Sequence, residues 1–388
     1  MNMKLREVVI VAYGRSALGR AFKGSLASEH PVDFAGQVLD GVLKKVPQID
    51  RKTIDDVIIG CAKPEATQGM NIARLVSIRA GIPYDVPAQT INRFCSSGLQ
   101  AIATGANSII AGQAEIVLAG GVETMTQIPM GSDPKYRNQW LMENNDDVYM
   151  AMGLTAENVA DRYNLSRESM DQMAVESHRK ASMAQKENKF TDEIIDVVAY
   201  DGEGNEFIFN KDEGIRENTN LEKLATLKTI FKEGGKVTAG TSSQMTDGAA
   251  AVLLMSMDKA EELGIKPIAK FLGYKIAGLD PKVMGLGPIK AVPKVLKLTG
   301  LKMEDMDVIE LNEAFAAQAI PCIEELGMDK SKVNPNGGAL ALGHPLGATG
   351  AILTCKAISE LKRTNGRYGL ITMCIGGGMG AAAIIEMI

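Results

Sequence analysis

One arrangement of residues occurs twice in this 388-residue chain, and it narrows the possible folds more than any other feature. In its first occurrence an apolar, strand-like run from Val86 to Phe94 ends at Cys95. Residues 96–105 then open with Ser and Gly and continue as helix formers with apolar side chains at helical spacing. A strand-like run, Glu115–Ala119, follows and is closed by Gly120 and Gly121. In its second occurrence Asn334–Gly343 leads into His344 and a helical run reaching Leu361. The strand-like Tyr368–Met373 comes next, then Cys374 and a glycine run to Gly380. Identity between the two stretches is weak, but the plan is shared: a corner with a reactive residue, a helix, a strand, glycines. Two similar halves facing one another would bring both corners to one site.

Elsewhere short apolar runs alternate with helical ones. Residues 1–11 and Val8–Tyr13 read as a first strand, Pro31–Val46 as a helix, Asp56–Gly60 as a strand and Asn71–Ala80 as a helix. Strands alternating with helices predict an α/β architecture with strands buried on both faces. The alternation stops at Val122. To about Gly240 the chain is polar and rich in methionine, with one helix near Thr155–Tyr163 and another capped by Ser166 and running to about Asn188. It resumes at Asp247. The expected division is a first half, 1–121 plus 245–268, an inserted loop domain, 122–244, and a second half, 269–388.

A net charge of −5 and 5% aromatic residues favour neither nucleic-acid nor membrane-surface binding. No apolar stretch reaches membrane-spanning length, and the N-terminal residues lack the apolar core of a signal peptide. Cys61, Cys95, Cys322, Cys355 and Cys374 form an odd set without a Cys-x-x-Cys, which suits a reducing cytoplasm. His30, His178 and His344 show no metal-ligand spacing, so metal-free chemistry is expected.

A thiol at a helix N-terminus, such as Cys95, faces unpaired N–H groups that favour the nucleophilic thiolate. The same position also suits a small buried Cys that packs a helix on a sheet. His344 precedes Pro345, a residue favoured at the first helical position, so the helix dipole would keep its imidazole neutral and able to accept a proton; a capping role fits as well. Cys374 stands before glycines whose N–H groups could cradle an oxyanion, or simply before a tight turn. Asn312 follows the strand-like Asp307–Leu311, where an amide can hold a water or a carbonyl, or cap a helix. The Ser/Thr/Gly loop Thr238–Gly248 could bind an amide-rich ligand arm or serve as a plain connection. Met125, Met130, Met142, Met150 and Met152 could line an apolar tunnel or fill core gaps. Together a thiol, an imidazole, a second thiol and backbone donors suit acyl transfer through a covalent thioester.

The segments Asn92–Ala101, Gly120–Met125, Thr238–Ser243, Asn312–Ala316, Gly337–Gly350 and Cys374–Gly380 closely resemble the thiolase family, in family order and over nearly the whole chain. The resemblance implies two α/β halves in a layered αβαβα core with an inserted loop domain. It implies that Cys95 carries the acyl group, that His344 activates it, and that Cys374 is the acid/base at the acetyl-CoA carbon or the CoA leaving group. Asn312 would hold a water that forms one oxyanion hole with His344; the N–H groups of Cys95 and Gly376 would form the other. Ser243 matches a pantetheine contact and Arg216 a basic residue near the CoA nucleotide, with Met152 also at the substrate. CoA and acyl-CoA are implied as substrates, with no further cofactor, and dimers or tetramers as the assembly. Ala151 stands where acetoacetyl-CoA-forming members carry a His, and Gly121–Met125 and Thr241–Ser243 look like the degradative branch. The expected activity is therefore thiolysis of 3-ketoacyl-CoA, with condensation of two acetyl-CoA as the alternative. A decarboxylating ketosynthase would need no second thiol; a hydrolase would need an orienting Asp or Asn after the His, and none is evident. The remaining readings are a non-catalytic acyl-CoA binder and a redox-switched protein that pairs Cys95 with Cys374 in a disulfide, the latter compatible with catalysis.

Overall fold

The structure, a computed structural model, describes residues 5–131 and 133–388. Residues 1–4 of the expected first strand lie outside the described residues. The strands are β1 (Val8–Arg15), β2 (Gly19–Arg20), β3 (Asp56–Gly60), β4 (Ala88–Ile91), β5 (Ile116–Thr124), β6 (Val197–Tyr200), β7 (Glu206–Phe209), β8 (Thr246–Ser256), β9 (Ala269–Gly278), β10 (Val308–Leu311), β11 (Tyr368–Ile375) and β12 (Met379–Met387).

The first half orders its strands β4-β3-β5-β8-β1, with β3 parallel to β4 and β5 and the remaining pairs antiparallel. The second half runs β10-β11-β12-β9, with only β10–β11 parallel. On the free side of β10, Val333 bridges Ile309 in parallel, as β4 flanks β3. Counted along the chain within each half, both orders read third, second, fourth, fifth, first. The halves join where β1 pairs β9 at Val9–Lys270 and Ile10–Ala269.

Side-chain alternation sorts the chain into five layers. On β8, Ala250, Val252 and Leu254 face one core, while Ala249, Ala251, Leu253 and Met255 face another. On β12, Ala381, Ala383 and Ile385 join the first of these cores, and Ala382 and Ile384 face a third. That first core lies between the sheets and holds the helices Ser97–Ile110 and Leu346–Thr364. Helices Pro31–Lys44 and Ile72–Arg79 cover the outer face of one sheet, and Gly287–Thr299 and Ala316–Glu325 that of the other. Every residue from Leu346 to Leu361 is buried, as a helix enclosed on all sides requires.

Two local readings are corrected. Gly120 and Gly121 do not end a strand; they lie inside β5. A Cβ on Gly120 would meet the Ala250 carbonyl oxygen at 2.1 Å, and one on Gly121 the Gly347 oxygen at 2.3 Å. These glycines permit close approach, not a turn. The run Val86–Phe94 is not a buried strand: only β4 is extended, at the half-exposed edge of the sheet.

The segment 122–244 contains the two expected helices, Met152–Arg162 and Arg167–Lys186. Ser166 Oγ caps the latter by accepting from Ser169 N–H at 3.0 Å. It also contains the β6–β7 hairpin and the short helices Gln139–Asn144 and Leu221–Ala225, which were not foreseen.

Candidate active site

Cys95 sits in a single 3₁₀ turn, Phe94–Ser96, ahead of helix Ser97–Ile110. Phe94 has φ of +43°, a conformation rarely taken by a bulky residue. Neighbouring side chains hold it there. Asn92 Oδ1 accepts from Phe94 N–H at 2.8 Å; Ser97 Oγ accepts from Arg93 N–H at 2.8 Å and donates to the Phe94 carbonyl at 2.6 Å.

The expected thiolate at this corner is not what the surroundings favour. Burial pushes the Cys95 thiol up to about 11, and the Glu123 carboxylate adds to the shift. The N–H groups of Gly376 and of Cys95 itself aim at the sulfur and oppose this, but desolvation outweighs them. A proton acceptor must therefore take part when this thiol reacts.

His344 is buried just before helix Leu346–Thr364, whose N-cap is Pro345, so the proline sits one position earlier than expected. Burial lowers the imidazole to about 4, so it is neutral at pH 7. The direction matches the expectation; the cause is desolvation, not the helix dipole. Nδ1 lies 2.6 Å from Thr349 Oγ1, and Asn312 Nδ2 lies 3.4 Å from Nε2. With Asn312 as donor, the ring proton is on Nδ1 and the lone pair is on Nε2. Thr349, one turn into the helix, is the orienting partner that sequence reasoning missed; Asp or Asn was the type sought.

Asn312 follows β10 directly, and its N–H donates to the Thr372 carbonyl at 3.0 Å. The residue is fully buried, yet Asn312 Oδ1 has no hydrogen-bond partner among the described residues. A buried amide oxygen without a partner is costly and marks a place for a polar ligand atom.

Cys374 is the penultimate residue of β11, and Gly376–Gly378 form the tight connection to β12. Gly377 and Gly378 have φ of +78° and +83°, which glycine tolerates without strain. Burial and the neighbouring Cys95 hold the Cys374 thiol well above its ordinary range. Thus Cys95 neighbours Cys374 and the Gly376 N–H, Asn312 pairs with His344, and Cys95 packs against the apolar group that includes Leu346, two residues after His344. The central helices come into near-contact at their starts: a Cβ on Gly98 would lie 2.8 Å from the Gly347 carbonyl oxygen, and one on Gly350 would lie 2.5 Å from Leu99 N.

The remaining expected residues are spread around this cluster. Met152 Sδ stands 3.6 Å from where a Cβ on Gly376 would be, and Met152 packs on the apolar group that includes Cys374. Met125 packs beside Cys95 with Ala21, Ala62 and Leu346. Met130 and Met142 are exposed, so the five methionines do not line one tunnel. Met125 and Met152 alone of the five are placed against the cysteine corners, by separate segments of the chain. Ser243 is half-buried, its N–H bound to the Ala314 carbonyl at 2.9 Å. Arg216 is exposed at the margin; its Nη2 lies 3.3 Å from Gln244 Oε1, and burial and Arg20 lower its basicity.

Two repeats of one α/β half bring two thiols and an imidazole to the matching ends of the central helices, an arrangement with the groups that acyl transfer requires. Residues 8–258 match the thiolase N-terminal domain, and residues 265–387 match the thiolase C-terminal domain. The chain is 50% identical to a 3-ketoacyl-CoA thiolase of Bacillus subtilis strain 168, over 99% of this chain and 100% of that protein. It is 42% identical to the beta-ketothiolase BktB of Cupriavidus necator, over 99% of this chain and 100% of that protein. The crystal structure of the Bacillus anthracis acetyl-CoA acetyltransferase superposes with a TM-score of 0.93 at 39% identity, covering 99% of this chain and 100% of that one. The chain belongs to the thiolase family and is an acyltransferase.

Proposed function

We propose that the chain cleaves 3-ketoacyl-CoA with CoA, reversibly, to acetyl-CoA and an acyl-CoA shorter by two carbons. His344 Nε2 takes the proton from Cys95, and the thiolate attacks the C3 carbonyl. The C2–C3 bond breaks, leaving the acyl group on Cys95 and the electron pair on C2 of an acetyl-CoA enolate. The Cys374 S–H protonates C2 and acetyl-CoA departs. The Cys374 thiolate then takes the proton of CoA, whose sulfur attacks the acyl-Cys95 thioester; Cys95 leaves and recovers its proton from His344. Run backwards, Cys374 removes a proton from acetyl-CoA and the carbanion attacks acyl-Cys95. The N–H groups of Cys95 and Gly376 would serve one oxyanion, and His344 with an Asn312-held water the other.

The observation that supports this reading is the approach of two thiols, 279 positions apart in the chain, with a neutral imidazole at the corner whose Leu346 packs near Cys95. The segment 122–244 would hold CoA, with Ser243 at the pantetheine arm, Arg216 near the nucleotide and Met152 at the acyl end; no further cofactor is required. Among the described residues no helix is long and apolar enough to cross a membrane. Degradation of fatty acids in the cytoplasm, by a dimer or tetramer, completes the proposal.

Similarity to the acetyl-CoA acetyltransferase supports a second reading, condensation of two acetyl-CoA to acetoacetyl-CoA. Thiolysis kinetics across acetoacetyl-CoA and longer 3-ketoacyl-CoA substrates separate the two. Sustained kcat/KM on longer chains supports the first; turnover confined to acetoacetyl-CoA supports the second.

A further inference from the structure

Glu123, near the end of β5, has no part in the chemistry above, yet its buried carboxylate bonds one reactive corner directly and is linked to the other through Ala62 and Asn92. Its Oε2 accepts from Gly347 N–H at 2.8 Å, in the first turn of the helix that follows His344. The same oxygen accepts from Ala62 N–H, also at 2.8 Å. The Ala62 carbonyl in turn accepts from Asn92 Nδ2 at 3.0 Å, and Asn92 Oδ1 fixes Phe94 N–H beside Cys95. A single carboxylate oxygen therefore ties the Cys95 turn of one half to the His344 corner of the other. The second oxygen, Oε1, accepts from Gln68 Nε2 at 2.7 Å and from Lys63 N–H at 3.3 Å. Gln68 cannot turn its amide over, because its Oε1 accepts from Thr124 N–H and its Nε2 also donates to the Lys63 carbonyl.

We propose that Glu123 is a positioning residue that sets the relative placement of Cys95 and His344 for proton transfer and acylation. The proposal rests on the acyl-Cys95 reading. A carboxylate suits the task because it is acceptor-only, and every group facing it is a donor. In Glu123→Gln one oxygen can still take Gly347 and Ala62 N–H, but its NH₂ then opposes Gln68 and Lys63. In Glu123→Ala the link between the two corners is lost altogether.

The test measures the rate of acetyl-Cys95 formation from acetyl-CoA by quenched mass spectrometry, with CoA affinity and melting temperature on the same samples. Glu123→Ala is expected to slow acylation by about 100-fold, and Glu123→Gln by about 10-fold, because small misplacements of reacting groups have effects of this order. The dissociation constant for CoA should stay within about twofold, since neither tie touches the substrate arm. Where Glu123→Ala does not fold, Glu123→Gln alone decides. Folded Glu123→Gln that acylates at the wild-type rate overturns the positioning role, as does a loss explained wholly by weaker CoA binding or by the unfolded fraction. Wild-type protein that never forms acetyl-Cys95 overturns the acyl-enzyme reading itself, a distinct result.

Discussion

The two halves share one strand order and place different groups at matching points. Ahead of its central helix the first half sets Cys95, the second His344. Near the end of the fourth strand of each half, β5 carries Glu123 and β11 carries Cys374. One scaffold thus supplies a thiol and a carboxylate, the other an imidazole and a second thiol. The two thiols also differ. Cys95 is half-buried on a tight turn beside exposed Phe94, so a substrate can reach it. Cys374 is enclosed near a strand end, with Cys95 among the groups close enough to raise its thiol. Position within the repeat separates an acyl acceptor from a proton carrier, although both are cysteines.

The strongest way to break this contrast is to exchange the thiols' fates. Cys95→Ser should lower CoA-dependent cleavage by about 10⁴-fold or more, because the nucleophile itself is replaced, while acyl-CoA binding persists by calorimetry. Turnover near wild type would refute the assignment. Cys374→Ala should cost about 10²–10⁴-fold in condensation and in deuterium exchange at acetyl-CoA, the span of general acid–base catalysis, yet leave Cys95 acylation intact. If acylation is lost too, the thiols are not separable in role.

A pH experiment sharpens the comparison for the imidazole. Burial holds His344 at about 4 in the folded state, against about 6.5 when unfolded, so the unfolded chain binds the proton more readily. Stability is then full above pH 6.5 and falls as pH drops toward 4, by about 2–3 kcal/mol for this group. Buried His178, also lowered to about 4, adds a loss of the same sign. Urea denaturation at pH 7 and pH 4.5 should show a smaller acid loss in His344→Asn than in wild type. Equal losses would show that His344 is not the group responsible. Least of all, Thr349→Val should reduce kcat about fivefold, the equivalent of one hydrogen bond of about 1 kcal/mol, with KM unchanged. An unaltered kcat would mean that packing alone orients the ring.

Much of the site was legible because its signals are local. The Cys95 corner, the His344-Pro345 helix start, the strand end at Asn312 and the glycines after Cys374 each show in a few consecutive residues. The duplicated plan followed from their order. What escaped were properties of neighbours distant in sequence. Gly120 and Gly121 resemble a turn until Ala250 and Gly347 are seen pressing on them. Thr349 is an unremarkable helical residue until His344 folds over it. Glu123 carries no local sign that five donors, from Ala62, Lys63, Gln68, Gly347 and the more distant Cys61 thiol at 3.8 Å, converge on it.

Periodicity and punctuation in the linear chain indicated most of the strands and helices, that the architecture repeats, and which side chains carry reactive groups, because backbone preference and side-chain chemistry belong to residues and their near neighbours. Only the assembled molecule decided how those groups behave. Removal of water raised the thiols and lowered the imidazole, and close backbone contact between the central helices brought both corners together, effects that depend on every atom packed nearby.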